Sequence, residues 1–223
     1  MDNCELVGSR IRLGLDMDGV LFDFDSKIMD KFAEMGIQFT DVKEMSSAVE
    51  FDKSIKQRHR EIYHVPGFFA NLPPIKGAVN AYKYLKSLTD INNNKIFEIF
   101  IVSTPSFRNQ TCCIDKINDL NKYFGPELLE KVFFCRDKTL VNLDILIDDK
   151  PEIRGFNGSS ECLSDSNSVT NKMSFQHIRF HSDMYKYSDD VPIINNWIDG
   201  TYIDVVKNVC VFLRNYNKID SHN

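Results

Sequence analysis

No stretch of the 223-residue chain approaches 18 uncharged apolar residues, so no segment reads as a membrane span. There is no Cys-x-x-Cys pair among the six cysteines (Cys4, Cys112, Cys113, Cys135, Cys162 and Cys210). Without finger or ribbon spacing, structural zinc is not expected and free thiols are. Positive charge is not in excess either. The 27 Lys+Arg against 32 Asp+Glu leave a net charge of −5, the wrong sign for a protein that coats DNA or RNA. The opening Met1-Asp2-Asn3-Cys4-Glu5 lacks the basic and apolar layout of a signal peptide, and its acids speak against a transit peptide. A soluble, cytoplasmic chain is the expectation. Gly-rich Walker and dinucleotide loops, Gly-x-Ser-x-Gly and internal repeats are all absent. The five histidines fall into no ligand pattern and read as structural or surface groups.

What is present is a series of short apolar runs that end in polar residues. Ile11–Leu15 leads into Asp16, Ile96–Val102 into Ser103-Thr104, Val132–Cys135 into Arg136-Asp137-Lys138, and Ile145–Ile147 into Asp148-Asp149. A weaker run follows at His177–Phe180. Their length and their β-branched, aliphatic and aromatic content suit buried strands. Between them, Ala78 to Leu88 and Ile114 to Phe124 carry apolar residues at helical spacing, the second stopped by Gly125-Pro126. Such alternation predicts an α/β fold with a mostly parallel sheet centred on Ile11–Leu15. Residues 25–71 break the pattern with amphipathic stretches at Lys27–Met35 and Phe51–Tyr63, and read as a helical insertion. Core segments 1–24 and 72–223 would flank it. Residues 157–174, rich in Ser, Asn and Gly, read as a mobile surface loop.

In open parallel sheets, ligands bind at the carboxyl ends of the strands. Asp16-Met17-Asp18-Gly19-Val20 places two carboxylates at i and i+2, so both can face one reacting group. An EF-hand fragment does not account for them: Gly19 is fourth from Asp16 and Lys27 is twelfth, where that loop wants Gly sixth and Glu twelfth. Ser103-Thr104 alone reads as an ordinary turn, and Lys138 alone as a loop lysine. Asp148 and Asp149 repel each other unless a metal, a lysine or both lie near. Together these residues supply a carboxylate nucleophile, a second acid, hydroxyl donors, a cation and an acid pair, which is what phosphoryl transfer needs.

The same residues resemble the four motifs of the haloacid dehalogenase-like (HAD) phosphatases: Asp16-x-Asp18-Gly19-Val20, Ser103-Thr104, Lys138 and Asp148-Asp149. Longer strings are similar to 5′(3′)-deoxyribonucleotidases, among them Asp16 to Phe24, Gly67-Phe68-Phe69 through Leu72-Pro73-Pro74-Ile75, Arg136 to Thr139 and Leu146 to Lys150. The resemblance implies a HAD-like, Rossmann-type core with a small helical cap, a Mg²⁺ requirement, and hydrolysis of deoxyribonucleoside monophosphates. It implies Asp16 as nucleophile, Asp18 as general acid and base, and Ser103, Thr104 and Lys138 around the phosphoryl group. Mg²⁺ would be held by Asp16, the Asp18 backbone carbonyl and Asp149, with Asp148 behind. Phe24 matches a position that packs against the nucleotide, and Phe51 is the candidate aromatic for a base pocket in the cap. The partner is then a small nucleotide, with no nucleic-acid polymer and no membrane; a homodimer is left open. Two competing readings are a HAD phosphatase for another small phosphomonoester and a catalytically silent binding module.

Overall fold

The computed structural model describes residues 10–155, 175–188 and 191–220. The segment 157–174, expected as a surface loop, lies outside the described residues. Six strands form one sheet: β1 (Ile11–Leu15), β2 (Phe97–Ser103), β3 (Val132–Phe134), β4 (Ile145–Asp148), β5 (Gln176–Phe180) and β6 (Ile193–Ile194). All neighbours pair parallel, in the order β3-β2-β1-β4-β5-β6. β1 is therefore central, as its apolar content requires.

Alternation along the strands sorts side chains to two faces. Leu13, Leu15, Ile101, Ile145 and Ile147 join one large core, while Val102 and Leu146 join a smaller one with Leu143, Ile153 and Phe175. Gly14 faces the smaller core, where a Cβ would come within 2.6 Å of Leu143 Cδ1. Both faces are thus covered, as a parallel sheet demands. α4 (Ala78–Ser87) and α5 (Cys112–Phe124) contribute Ala81, Leu85, Leu120 and Phe124 to the large core. α6 (Thr201–Asp220) follows β6; neither was legible in the sequence. Gly77, at the start of α4, has φ +90°, and a Cβ there would lie 2.7 Å from the Trp197 carbonyl oxygen. Among the described residues, no helix is long and apolar enough to cross a membrane.

Between β1 and α4 lie α1 (Phe24–Glu34), α2 (Val42–Phe51) and α3 (Lys53–His64). Each starts at an aspartate whose side chain accepts backbone N–H groups: Asp23 from Ser26, Asp41 from Glu44, Asp52 from Ser54 and Ile55. Ile28, Phe32, Met45 and Ile62 bury the shared face. The outgoing and returning chains are tied at the neck, where Asp23 N donates to Pro73 O and Ile75 N to Leu21 O, both at 2.9 Å.

One expectation fails in this region. The sequence suggests one amphipathic stretch from Phe51 to Tyr63, and the resemblance offers Phe51 as the aromatic of a base pocket. Instead Asp52 caps a new helix, Phe51 ends the previous one, and its side chain is 78% exposed. Phe51 is not part of a base pocket.

Candidate active site

Parallel pairing aligns the carboxyl ends of the central strands. Leu15 is level with both Ile101 and Ile147, and Asp16 N donates to Ile147 O at 2.9 Å. Asp16, Ser103 and Asp148 therefore meet at one edge, where the chain order reverses around β1. Past β3, Cys135 N donates to Ser103 O at 3.1 Å and leads the chain to Lys138.

Asp16 is 3% exposed and accepts the Met17 N–H at 2.8 Å. Lys138 is buried between two acids, its Nζ 2.9 Å from Asp16 Oδ2 and 2.5 Å from Asp148 Oδ2. Burial works against the ammonium, yet Asp16 and Asp148 together hold its pKa above the ordinary value. Burial would also raise Asp148, but Lys138, Lys150 and the Lys150 N–H at 2.9 Å hold it below the usual carboxylate range. Asp16 is pushed up by burial, with Lys138 opposing. Asp149 goes furthest: burial, then Asp148 and Asp16, raise it well above the usual range.

Carboxylate oxygens of Asp16, Asp148 and Asp149 all lie within 4.8 Å of one another. Among the described residues no donor bonds the Asp149 carboxylate, and Asp18 Oδ1 is buried without a partner. An all-oxygen, anionic donor set of this kind fits a hard divalent cation. Gly19, at φ +73°, lets the chain pass close, since a Cβ there would sit 2.6 Å from Asp149 Oδ2.

Lys116 completes the cluster and was not picked out from the sequence. It is 1% exposed, and its Nζ donates to Asp18 Oδ2 at 2.6 Å and to Ser103 Oγ at 3.1 Å. A signal existed: the buried stripe of α5 is Cys112, Lys116, Asp119, Leu120 and Phe124, and two charged residues there call for partners. Asp119 has its own, accepting the Asn71 and Leu72 N–H groups. Lys150, beside the acid pair, was likewise passed over.

Asp16, Asp18, Ser103, Thr104, Asp149 and Lys150 line a cavity of about 500 Å³, within the range of about 300–1,000 Å³ for small-molecule sites. Lys138 and Asp148 are not in its wall but lie behind Asp16. Phe24 lines it too, packed among rings of Phe68, Phe69, Tyr63 and His59 at 5.5–6.4 Å. So the aromatic wall comes from Phe24, His59, Tyr63 and Phe69, not from Phe51. His59 and His64 are wall residues, where the sequence suggested structural or surface roles. Burial and the neighbouring Arg60 push His59 down to about 4, so it is neutral at pH 7. Exposed Phe107, with Arg136 5.4 Å from its ring centroid, and Arg108 form the rim.

The chain is similar to several known proteins. It is 34% identical over 203 residues to protein R758 of Acanthamoeba polyphaga mimivirus, covering 91% of this chain and 90% of that one. It is 33% identical over 156 residues to the human mitochondrial 5′(3′)-deoxyribonucleotidase, covering 66% of each. In fold it resembles the HAD-hydrolase YfnB of Bacillus subtilis, crystallised with magnesium, at a TM-score of 0.50 and 12% identity, covering 88% of this chain and 99% of that one. The fold is that of the HAD hydrolases. A family model described as "5′ nucleotidase, deoxy (Pyrimidine), cytosolic type C protein" matches residues 9–207, which take in all six strands and every helix up to the start of α6. With that span matched and the motif residues gathered at one sheet edge, the chain belongs to the cytosolic type C deoxy-5′-nucleotidase family.

Proposed function

We propose that the chain is a Mg²⁺-dependent phosphatase hydrolysing deoxyribonucleoside 5′- and 3′-monophosphates, with Asp16 as nucleophile and Asp18 as general acid and base. The observation that carries the reading is one cavity whose base holds Asp16, Asp18, Ser103 and Asp149 and whose wall is aromatic. The family assignment and the deoxyribonucleotidase relative support the substrate class, and the family description supports the cytoplasm.

In this reading an Asp16 oxygen bonds to phosphorus as the bond from phosphorus to the nucleoside oxygen breaks. Asp18 gives that oxygen its proton, then takes one from the water that attacks the aspartyl-phosphate, releasing phosphate and Asp16. Ser103, Thr104, Lys116 and Lys150 hold the phosphoryl oxygens. Lys138, fixed between Asp16 and Asp148, orients the nucleophile and offsets its charge. Mg²⁺ would be held by Asp16, Asp149 and the Asp18 carbonyl, with Asp148 behind, and when bound would neutralise phosphoryl charge. Residues 25–71 act as the cap, the core being 1–24 and 72–223. Phe24 and Phe69 present an apolar wall to the sugar and base. A ribose 2′-hydroxyl buried there without a partner costs about 1–3 kcal/mol, or a preference of roughly five- to 150-fold for the deoxy form.

The test is phosphate release from dUMP and UMP with Mg²⁺ and with a chelator. Turnover that needs the metal and favours dUMP is expected; equal rates, or a sugar phosphate outrunning both, would refute the substrate assignment.

A further inference from the structure

The outer face of α3 carries a stripe of charge that the chemistry at Asp16 does not use. Lys53, Lys56, Gln57, Arg60, Glu61 and His64 fall at i, i+3, i+4, i+7, i+8 and i+11, one side of a helix. Together with Arg108 they line a groove of about 490 Å³. Three of them, Arg60, His64 and Arg108, also line the cavity that holds Asp16, so the groove and the cavity adjoin.

We propose that this groove is a second anion site, taking the distal phosphate of a nucleoside 3′,5′-bisphosphate whose other phosphate lies at Asp16. The inference rests on the nucleotidase reading and extends its substrate class.

Charge balance is the first support. Lys53, Lys56, Arg60 and Arg108 face a single acid, Glu61, which accepts a hydrogen bond from Gln57 Nε2 at 2.7 Å. Among the described residues none of those four cations forms an ion pair, although the whole chain carries −5. Helix energetics is the second. Lys53 opens α3, where the helix dipole opposes a cation and the Asp52 cap carboxylate offsets part of that. Lys56 repels Lys53 at i−3 and Arg60 at i+4, each a destabilising pair. Like charges held at helical spacing along one side of α3 are the pattern expected of an anion-binding surface. The His64 imidazole agrees, lowered by burial and then by Arg108 and Arg60. Continuity with the cavity, through Arg60, His64 and Arg108, lets one ligand reach both sites. A bisphosphate, with a phosphate on each side of the sugar, can do so in either orientation.

The test uses Asp16→Asn protein with Mg²⁺, so that ligand is not consumed, and calorimetric Kd values for thymidine 3′,5′-bisphosphate and thymidine 5′-monophosphate. The bisphosphate should bind about tenfold more tightly at low salt, the sum of two or three exposed charge contacts. That advantage should shrink in about 0.5 M salt, and Lys53→Gln/Lys56→Gln should cut the ratio to below about threefold. The same ratio read as kcat/KM in otherwise unaltered protein covers an Asp16→Asn chain that does not fold. Equal affinities alongside normal monophosphate turnover would overturn this inference and leave the nucleotidase reading standing. An advantage that survives both lysine substitutions would also overturn it. A dinucleotide 5′-phosphate binding far more tightly than the bisphosphate would move the site to oligonucleotide ends and overturn the assignment. Binding of neither nucleotide would end both readings.

Discussion

Replacing Lys116 by Met removes an ammonium while keeping most of the buried stem. That ammonium pairs with Asp18 at 2.6 Å, donates to Ser103 at 3.1 Å and lies 4.9 Å from the Phe69 ring centroid. Removing one partner of a buried ion pair costs about 3–5 kcal/mol. The Asp18 side chain is 24% exposed and recovers part of its hydration, which brings the expected loss to about 2–3 kcal/mol. Asp18→Asn in the same protein should then restore much of the lost stability, because no uncompensated carboxylate remains. A double-mutant cycle by urea unfolding should give a coupling of about 2 kcal/mol. In catalysis, losing a donor to the phosphoryl oxygens should lower kcat about 10²- to 10³-fold. A Lys116→Met protein within about 0.5 kcal/mol of the parent, with additive effects in the cycle, would refute the pairing. Unchanged kcat would refute the phosphoryl role separately.

Three further outcomes follow from the geometry. Phe24→Leu should raise KM for dUMP about fivefold, the worth of about 1 kcal/mol of ring stacking, whereas Phe51→Ala at an exposed position should alter neither kinetics nor stability by more than about 0.5 kcal/mol; a KM response at Phe51 would contradict the placement of the wall. His59 has its pKa lowered from 6.5 to about 4 by burial and Arg60, so it leaves stability unaffected above pH 6.5 and lowers it as pH falls towards 4, where the unfolded chain binds the proton more readily. His59→Phe should therefore remove up to about 3 kcal/mol of acid sensitivity across that window, read from unfolding midpoints at several pH values; an unaltered pH profile would count against it. Gly19→Ala should cost about 1–2 kcal/mol at φ +73° and raise the Mg²⁺ concentration giving half-maximal rate, because the new Cβ meets Asp149 Oδ2; unchanged metal dependence would remove Asp149 from the ligand set.

The sheet was legible because its strands are short apolar runs closed by polar residues, and parallel pairing turns that pattern into convergence. Asp16, Ser103 and Asp148 end neighbouring strands, so one register error would have scattered them. Side chains that reach the site from helices were not legible in the same way. Lys116 is one charge in an amphipathic α5, and only its place on the buried stripe marks it. Phe51 was offered by the resemblance and not by any periodicity; Asp52 ends the helix that carries it, and its side chain faces solvent. β6 has two residues, too few for any period, and holds its place by pairing with Arg179 and Phe180.

The central claim is that Asp16 carries the phosphoryl group. Steady-state hydrolysis of dUMP with saturating Mg²⁺, compared between the natural protein and Asp16→Asn, tests it most directly. An amide cannot form the acyl-phosphate, so turnover should vanish. Turnover by Asp16→Asn within about tenfold of the natural protein, a smaller loss than even general acid–base help is worth, would show that Asp16 is not the nucleophile.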